Sequence, residues 1–315
     1  MSKRLALLCV GLIGILVMGA CTGGAEEPDG NTPEPTAGAT DTGATATPGG
    51  GGPVAGEPVF GGQFETHSRG EPRGGFEPHM PGGLREKRML LSMFLEGTVA
   101  RLDSTDAKCD ELLTPWLAES WGYVDDTTFE IKVRPGVMWQ DVEPLNGRPL
   151  VAQDIAFSFQ RLIDMGVVEA VREITESIEV VDEETVHINL TEPYPGLDIQ
   201  FLALSQTVIV AEEALNAAGE FDRTSAIGTG PYIMESYDPA SGVQFVRNDN
   251  YWWDDRPYIE TVQMRFMGDK STRLAAFEAG QLDVLDELSP SEVSRAKNTR
   301  PTGQYYPCVS SMGMM

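Results

Sequence analysis

The chain changes character at residue 59, and that break limits which part of it can fold. From Thr22 to Pro58 it consists almost wholly of Thr, Gly, Ala, Pro and acidic residues, without one aromatic side chain. Such a stretch cannot bury enough apolar surface to offset the entropy of ordering it, so it is expected to be a flexible linker. From Val59 onward, aliphatic and aromatic residues return at helix and strand spacings. Only this part can form a core, and a hydrophobic content of 41% is enough for one.

In front of the linker stands a leader. Ser2, Lys3 and Arg4 form a short positive region, and Leu5 to Val17 is an almost unbroken apolar run. That run is too short to span a bilayer comfortably and suits the apolar region of a signal peptide. It ends in Met18-Gly19-Ala20-Cys21, where small residues before a cysteine resemble the lipobox of bacterial lipoproteins, with Met18 at a position that usually holds Leu. The resemblance implies a signal peptide at 1–20, a diacylglycerol on Cys21 and a linker over 21–58. A plain signal peptide cleaved after Ala20 is the alternative. Two or more acyl chains hold a protein at a bilayer, because each buried methylene contributes about 0.8 kcal/mol.

The formal net charge is −25, from 23 basic and 48 acidic side chains. The densest basic run, Arg85, Lys87 and Arg88, is interrupted by Glu86. Nucleic acid and anionic headgroups both need clustered cations, so no nucleic-acid partner is expected. Of the four cysteines, Cys109 and Cys308 lie in the body of an exported chain. They either form one bridge or stand as two separate thiols, and a lone distant pair does not describe a disulfide scaffold.

Local patterns place the elements. Phe129, Ile131 and Val133 alternate with Glu130, Lys132 and Arg134, which predicts a half-buried strand over Thr127–Arg134, closed by the turn Pro135-Gly136. Ile155, Phe159, Leu162 and Ile163 share one stripe of a helix over Gln153–Met165, with Asp154 in its first turn. Ile178–Leu190 reads as a hairpin around Asp182-Glu183-Glu184. A helix is expected at Ala211–Ala218, strands at Val243–Arg247 and Thr261–Met267, and a helix at Ser271–Ala279 stopped by Gly280. Strands and helices interleave while hairpins also occur, so mixed sheets are expected.

Three stretches together resemble the ABC-importer solute-binding proteins that handle oligopeptides, dipeptides and nickel. The first runs from Pro115-Trp-Leu-Ala-Glu-Ser-Trp121 through Lys132-Val-Arg-Pro-Gly-Val-Met-Trp139 and Gly147-Arg-Pro-Leu150 to Asp154-Ile-Ala-Phe-Ser-Phe159 and Arg161-Leu162. The second is Gly228-Thr-Gly-Pro-Tyr232, followed by Val246-Arg-Asn-Asp-Asn-Tyr-Trp252. The third is Thr272-Arg-Leu-Ala-Ala-Phe-Glu-Ala-Gly-Gln-Leu-Asp283, closed by Leu288-Ser-Pro290. The resemblance implies a two-lobed, class II periplasmic-binding-protein-like α/β fold, with 59–98 and 206–315 in the main lobe and 99–205 as an inserted subdomain. It also implies that the second ligand-facing lobe is absent, Tyr305–Val309 being the strand that would cross towards it. Two partners follow, a peptide or other small solute and an ABC permease in the membrane, for a receptor working as a monomer without a cofactor. Val151 departs from the family pattern, in which a Thr caps the helix, and loss of that oxygen should cost about 1 kcal/mol.

Catalytic chemistry is hard to assemble. His67, His79 and His187 lack metal-ligand spacing, and no nucleophile–base pair can be proposed, so an enzyme is not expected. His187, between Val186 and Ile188, is expected on a solvent-facing strand surface. His79 is expected to be structural, with a ligand contact as the alternative. Gly268-Asp-Lys-Ser-Thr272 lacks the earlier glycine of a phosphate loop and reads as a turn entering a helix. The five tryptophans are expected to serve packing rather than to form ligand platforms. The resemblance points to Gly82, Gly83 and Leu84 as a bare loop lending backbone groups to a peptide in β-strand fashion. Receptors for nickel chelates, sugars or other small solutes, and a surface lipoprotein without a transport role, are the rival readings.

Overall fold

The computed structural model describes residues 59–71, 76–79, 96–97, 99–101, 113–204, 206–215, 227–303 and 305. Ten strands and four α-helices fall within them: β1 (Gln63–Ser68), β2 (Val99–Arg101), β3 (Leu113–Pro115), β4 (Ala118–Tyr123), β5 (Thr128–Val133), α1 (Ala152–Asp164), α2 (Glu169–Ile174), β6 (Thr175–Asp182), β7 (Thr185–Leu190), β8 (Tyr232–Asp238), β9 (Gly242–Arg247), β10 (Thr261–Phe266), α3 (Lys270–Glu278) and α4 (Pro290–Thr299). One sheet has the order β1-β10-β9-β8, and a second has the order β4-β5-β7-β6. β2 and β3 form a separate antiparallel pair. The first sheet is mixed, because β1 runs parallel to β10 while β9 and β8 are antiparallel.

The second sheet follows from its alternation. Phe129, Ile131 and Val133 of β5 are buried, and their partners on β7 complete an apolar face, Phe129 opposite Ile188 and Ile131 opposite Val186. α1 lays Ile155, Phe159 and Leu162 on this face, all fully buried. The expected hairpin is present as β6 and β7, turning at Glu183-Glu184. His187 on its outer face is half-buried and paired with Glu130 at 3.0 Å across the strands.

Under the first sheet, Phe76, Val208, Val210, Tyr232, Phe245 and Met264 form a second core. Gly242 opens β9 with φ +144°, and a Cβ there would stand 2.0 Å from the Met264 carbonyl oxygen, so no other residue fits. α3 begins as the sequence predicts: Asp269 caps it by accepting the Thr272 amide at 2.8 Å, and Gly280 ends it with φ +76°. A third small core joins α3 to α4 through Ala276, Phe277, Leu282 and Ala296.

The helix expected at Ala211–Ala218 is replaced, in its described part, by a single 3₁₀ turn over Glu212–Ala214. Leu215 returns to extended backbone at φ −85° and ψ 145°, which ends the turn, and Ala211 carries no capping oxygen. Residues 216–218 lie outside the described residues. At α1, Val151 occupies the cap in extended conformation with no side-chain hydrogen bond, as its sequence implies.

Candidate functional site

β1 and β10 are parallel neighbours, and open α/β sheets take ligands beyond the carboxyl ends of such strands. Ser68 lies opposite Phe266 at this edge, and the Met267 amide extends the pairing to the Ser68 carbonyl at 2.8 Å. From β1 the chain leaves towards Phe76–His79; from β10 it turns through Gly268–Asp269 into α3. Arg69 pairs with Glu287 here. Arg273 is buried and donates to the Met267 and Gly268 carbonyls at 2.8 and 2.9 Å. His67 is also buried, with Nε2 3.5 Å from Asp286. Burial pushes its pKa down against the pull of Asp286.

Beyond this edge two buried polar clusters fix the chain. In the first, Arg161 of α1 reaches Glu77 with both amino groups, at 2.9 and 2.8 Å, and the same carboxylate accepts the His79 amide at 3.0 Å. Arg161 also donates to His79 Nδ1 at 2.9 Å. A guanidinium can only donate, so Nδ1 is the acceptor, and Nε2 carries the hydrogen that the Val208 carbonyl accepts at 2.9 Å. His79 is wholly buried, which gives it the structural role expected of it. Burial alone would push the Glu77 carboxyl up; the hydrogen bonds and charge of Arg161, with the His79 amide, outweigh it and hold the group below the ordinary range.

The second cluster centres on Glu96. One carboxylate oxygen accepts the Trp116 indole N–H at 2.7 Å and the Tyr251 hydroxyl at 2.7 Å. The other accepts the Thr229 hydroxyl at 2.8 Å and the Trp252 indole N–H at 3.0 Å. Burial pushes the Glu96 carboxyl up, and the four donors pull against it. Around it Trp116 meets Trp252 and Trp253 edge-on at 5.5 and 4.9 Å, and Arg134 and Arg256 lie over the outer faces of Trp252 and Trp253. Trp139 is fully buried and donates to Asp154, so Trp116, Trp139 and Trp252 pack and hydrogen-bond within the body, whereas Trp253 is partly exposed.

Gly82, Gly83 and Leu84 lie outside the described residues, between the His79 and Glu96 anchors in sequence, as do Cys21, Cys109 and Cys308. The sequence reading missed Glu77, Glu96 and Arg161 as anchors. For Glu96 one signal existed, a single carboxylate closing the apolar run Met89–Leu95. Its four donors come from three distant segments, and no local pattern joins them.

Residues 113–314 match the family described as bacterial extracellular solute-binding proteins, family 5 Middle. The dipeptide-binding protein of Escherichia coli (strain K12) is 28% identical over 207 residues, covering 59% of this chain and 38% of that protein. The nickel-binding periplasmic protein of the same strain is 30% identical over 184 residues, covering 56% and 34%. The crystal structure of NikA from Brucella suis in complex with Fe(III)-EDTA superposes with a TM-score of 0.62 at 26% identity, covering 74% of this chain and 46% of that one. The chain thus spans less than half the length of these relatives. The match over most of the body, with the mixed α/β architecture of the fold, shows that the chain belongs to the bacterial extracellular solute-binding proteins, family 5.

Proposed function

We propose that this chain is part of a lipid-anchored receptor that captures peptides outside the membrane and delivers them to an ABC permease, without covalent chemistry. Family membership carries the reading, and similarity to a dipeptide-binding protein favours peptides as the solute. In this reading Cys21 bears the anchor, 22–58 is the leash, and the division into a main lobe (59–98 and 206–315) and an inserted subdomain (99–205) holds. Gly82, Gly83 and Leu84 offer main-chain groups to an extended peptide, between the anchors at His79 and Glu96. A receptor for nickel chelates is the second reading, favoured by the 30% identity to a nickel-binding protein.

A clamp gains affinity by enclosing its solute and satisfying its charged ends with fixed partners. This chain spans only 38% of the dipeptide-binding relative, so alone it should bind weakly. Calorimetry against mixed di- to pentapeptides is expected to give little heat with the 315-residue chain and clear binding once the chain is extended to the length of its relatives. Binding of a nickel chelate but of no peptide by the extended chain would overturn the peptide reading.

A further inference from the structure

We propose that Glu96 is a positioning residue for solute capture, holding the turn before β4, the turn before β8 and the turn after β9 in one arrangement. The proposal rests on the reading of this chain as part of a solute receptor. Its ground is the number and origin of the groups that Glu96 ties together. Trp116 enters from the turn leading into β4 of the second sheet, Thr229 from the turn leading into β8, and Tyr251 and Trp252 from the turn leaving β9 of the first. The Glu96 main chain adds a fourth tie, its carbonyl accepting the Ile209 amide at 2.9 Å.

All four side-chain donors are neutral. The guanidinium groups of Arg134 and Arg256 stand at 5.0 and 4.6 Å from the centres of the Trp252 and Trp253 rings, on the aromatic cluster rather than on the carboxylate. Glu96 is 6% exposed, and a buried carboxylate that the described residues hold only by neutral donors depends on every one of them. Displacement of one turn leaves an oxygen short of a donor, so the three turns move together or not at all. An apolar side chain of the same volume would fill the space without linking the turns. The two sheets are therefore held in register by a directional group, and a binding site assembled from both needs placement to within about 0.5 Å.

Glu96→Gln separates charge and hydrogen bonding from volume, because an amide offers one acceptor oxygen where the carboxylate offers two. Ile188→Ala, in the fully buried core of the second sheet, serves as a control that lowers stability without touching the junction. Hydrogen exchange is followed at the amides of Leu117, Gly228 and Tyr251, which report the three turns. Glu96→Gln is expected to speed exchange at all three by about tenfold or more while β5 and β7 stay protected, and Ile188→Ala is expected to leave the three turns slow. In the chain extended to the length of its relatives, Glu96→Gln is expected to weaken binding of a di- to pentapeptide by about tenfold or more. Unchanged exchange in Glu96→Gln, or the same response in both variants, overturns the proposal. If the unsubstituted extended chain binds no peptide, the receptor reading for peptides falls, and exchange still decides the role of Glu96. Should Glu96→Gln not fold, Tyr251→Phe removes one donor and is read in the same way.

Discussion

Asp154 accepts the amide hydrogen of Val151 at 3.1 Å, so the first turn of α1 is closed from its third residue rather than from its cap. The same carboxylate receives Arg148 on both oxygens, at 2.9 and 2.7 Å, and the Trp139 indole at 3.1 Å. These bonds hold Asp154 where it serves the helix, but the amide that a cap oxygen would take has no side-chain acceptor. Val151→Thr, nearly equal in shape and already extended at φ −131°, is therefore expected to raise stability by about 0.5–1 kcal/mol. Thermal unfolding of the two chains checks it, and an unchanged midpoint would show that Asp154 already does all that a cap could.

Arg161 and Glu77 form a buried pair in which each partner neutralises the other. Arg161→Ala takes two charge-assisted hydrogen bonds from a buried carboxylate and should cost about 3–5 kcal/mol. Arg161→Ala combined with Glu77→Gln should cost clearly less, because no charge is then left behind. Urea denaturation measures both, and a loss of under about 1 kcal/mol for the single variant would put the pair on a par with surface ion pairs.

Acid should act on Glu77 and Glu96 in opposite senses. The folded pKa of Glu77 lies below its ordinary 4.5, so its contribution is complete above that value and is lost as pH falls through the folded one. The folded pKa of Glu96 lies above 4.5, so its contribution is complete below that value and is lost as pH rises through the folded one. Glu77→Gln should flatten the loss of stability below pH 4.5, and Glu96→Gln should remove a decline above it. Denaturation midpoints across about pH 3 to 7 test this, and parallel profiles for both variants would contradict it.

Gly242 combines a positive φ with a backbone oxygen where a Cβ would stand. Gly242→Ala should cost at least about 2 kcal/mol, since β9 must shift away from β10. The thermal midpoint reports it, and a neutral outcome would mean that the start of β9 relaxes freely.

The anchor proposal makes a cellular prediction. Cys21→Ala should move the protein from the membrane fraction to the soluble one, while removal of residues 22–58 should leave the unfolding transition of the body unchanged. Membrane retention of the Cys21→Ala protein would exclude Cys21 as the point of attachment.

Elements whose cause lies within a few neighbouring residues were legible in the sequence. The alternation at Phe129, Ile131 and Val133 makes β5, the stripe from Ile155 to Leu162 makes α1, and Asp269 and Gly280 bound α3, because period and capping are local properties. The family pattern, carried by residues at such local positions, was legible for the same reason. Tertiary structure alone decided what depends on contacts between distant segments. It set Gln63 beside Thr261, joined Glu77 to Arg161 and gathered Trp116, Thr229, Tyr251 and Trp252 around Glu96. It also cut the described part of the helix expected from Ala211 to one 3₁₀ turn, Leu215 already being extended at ψ 145°. A buried carboxylate takes its donors from wherever the fold brings them, and sequence spacing carries no record of that choice.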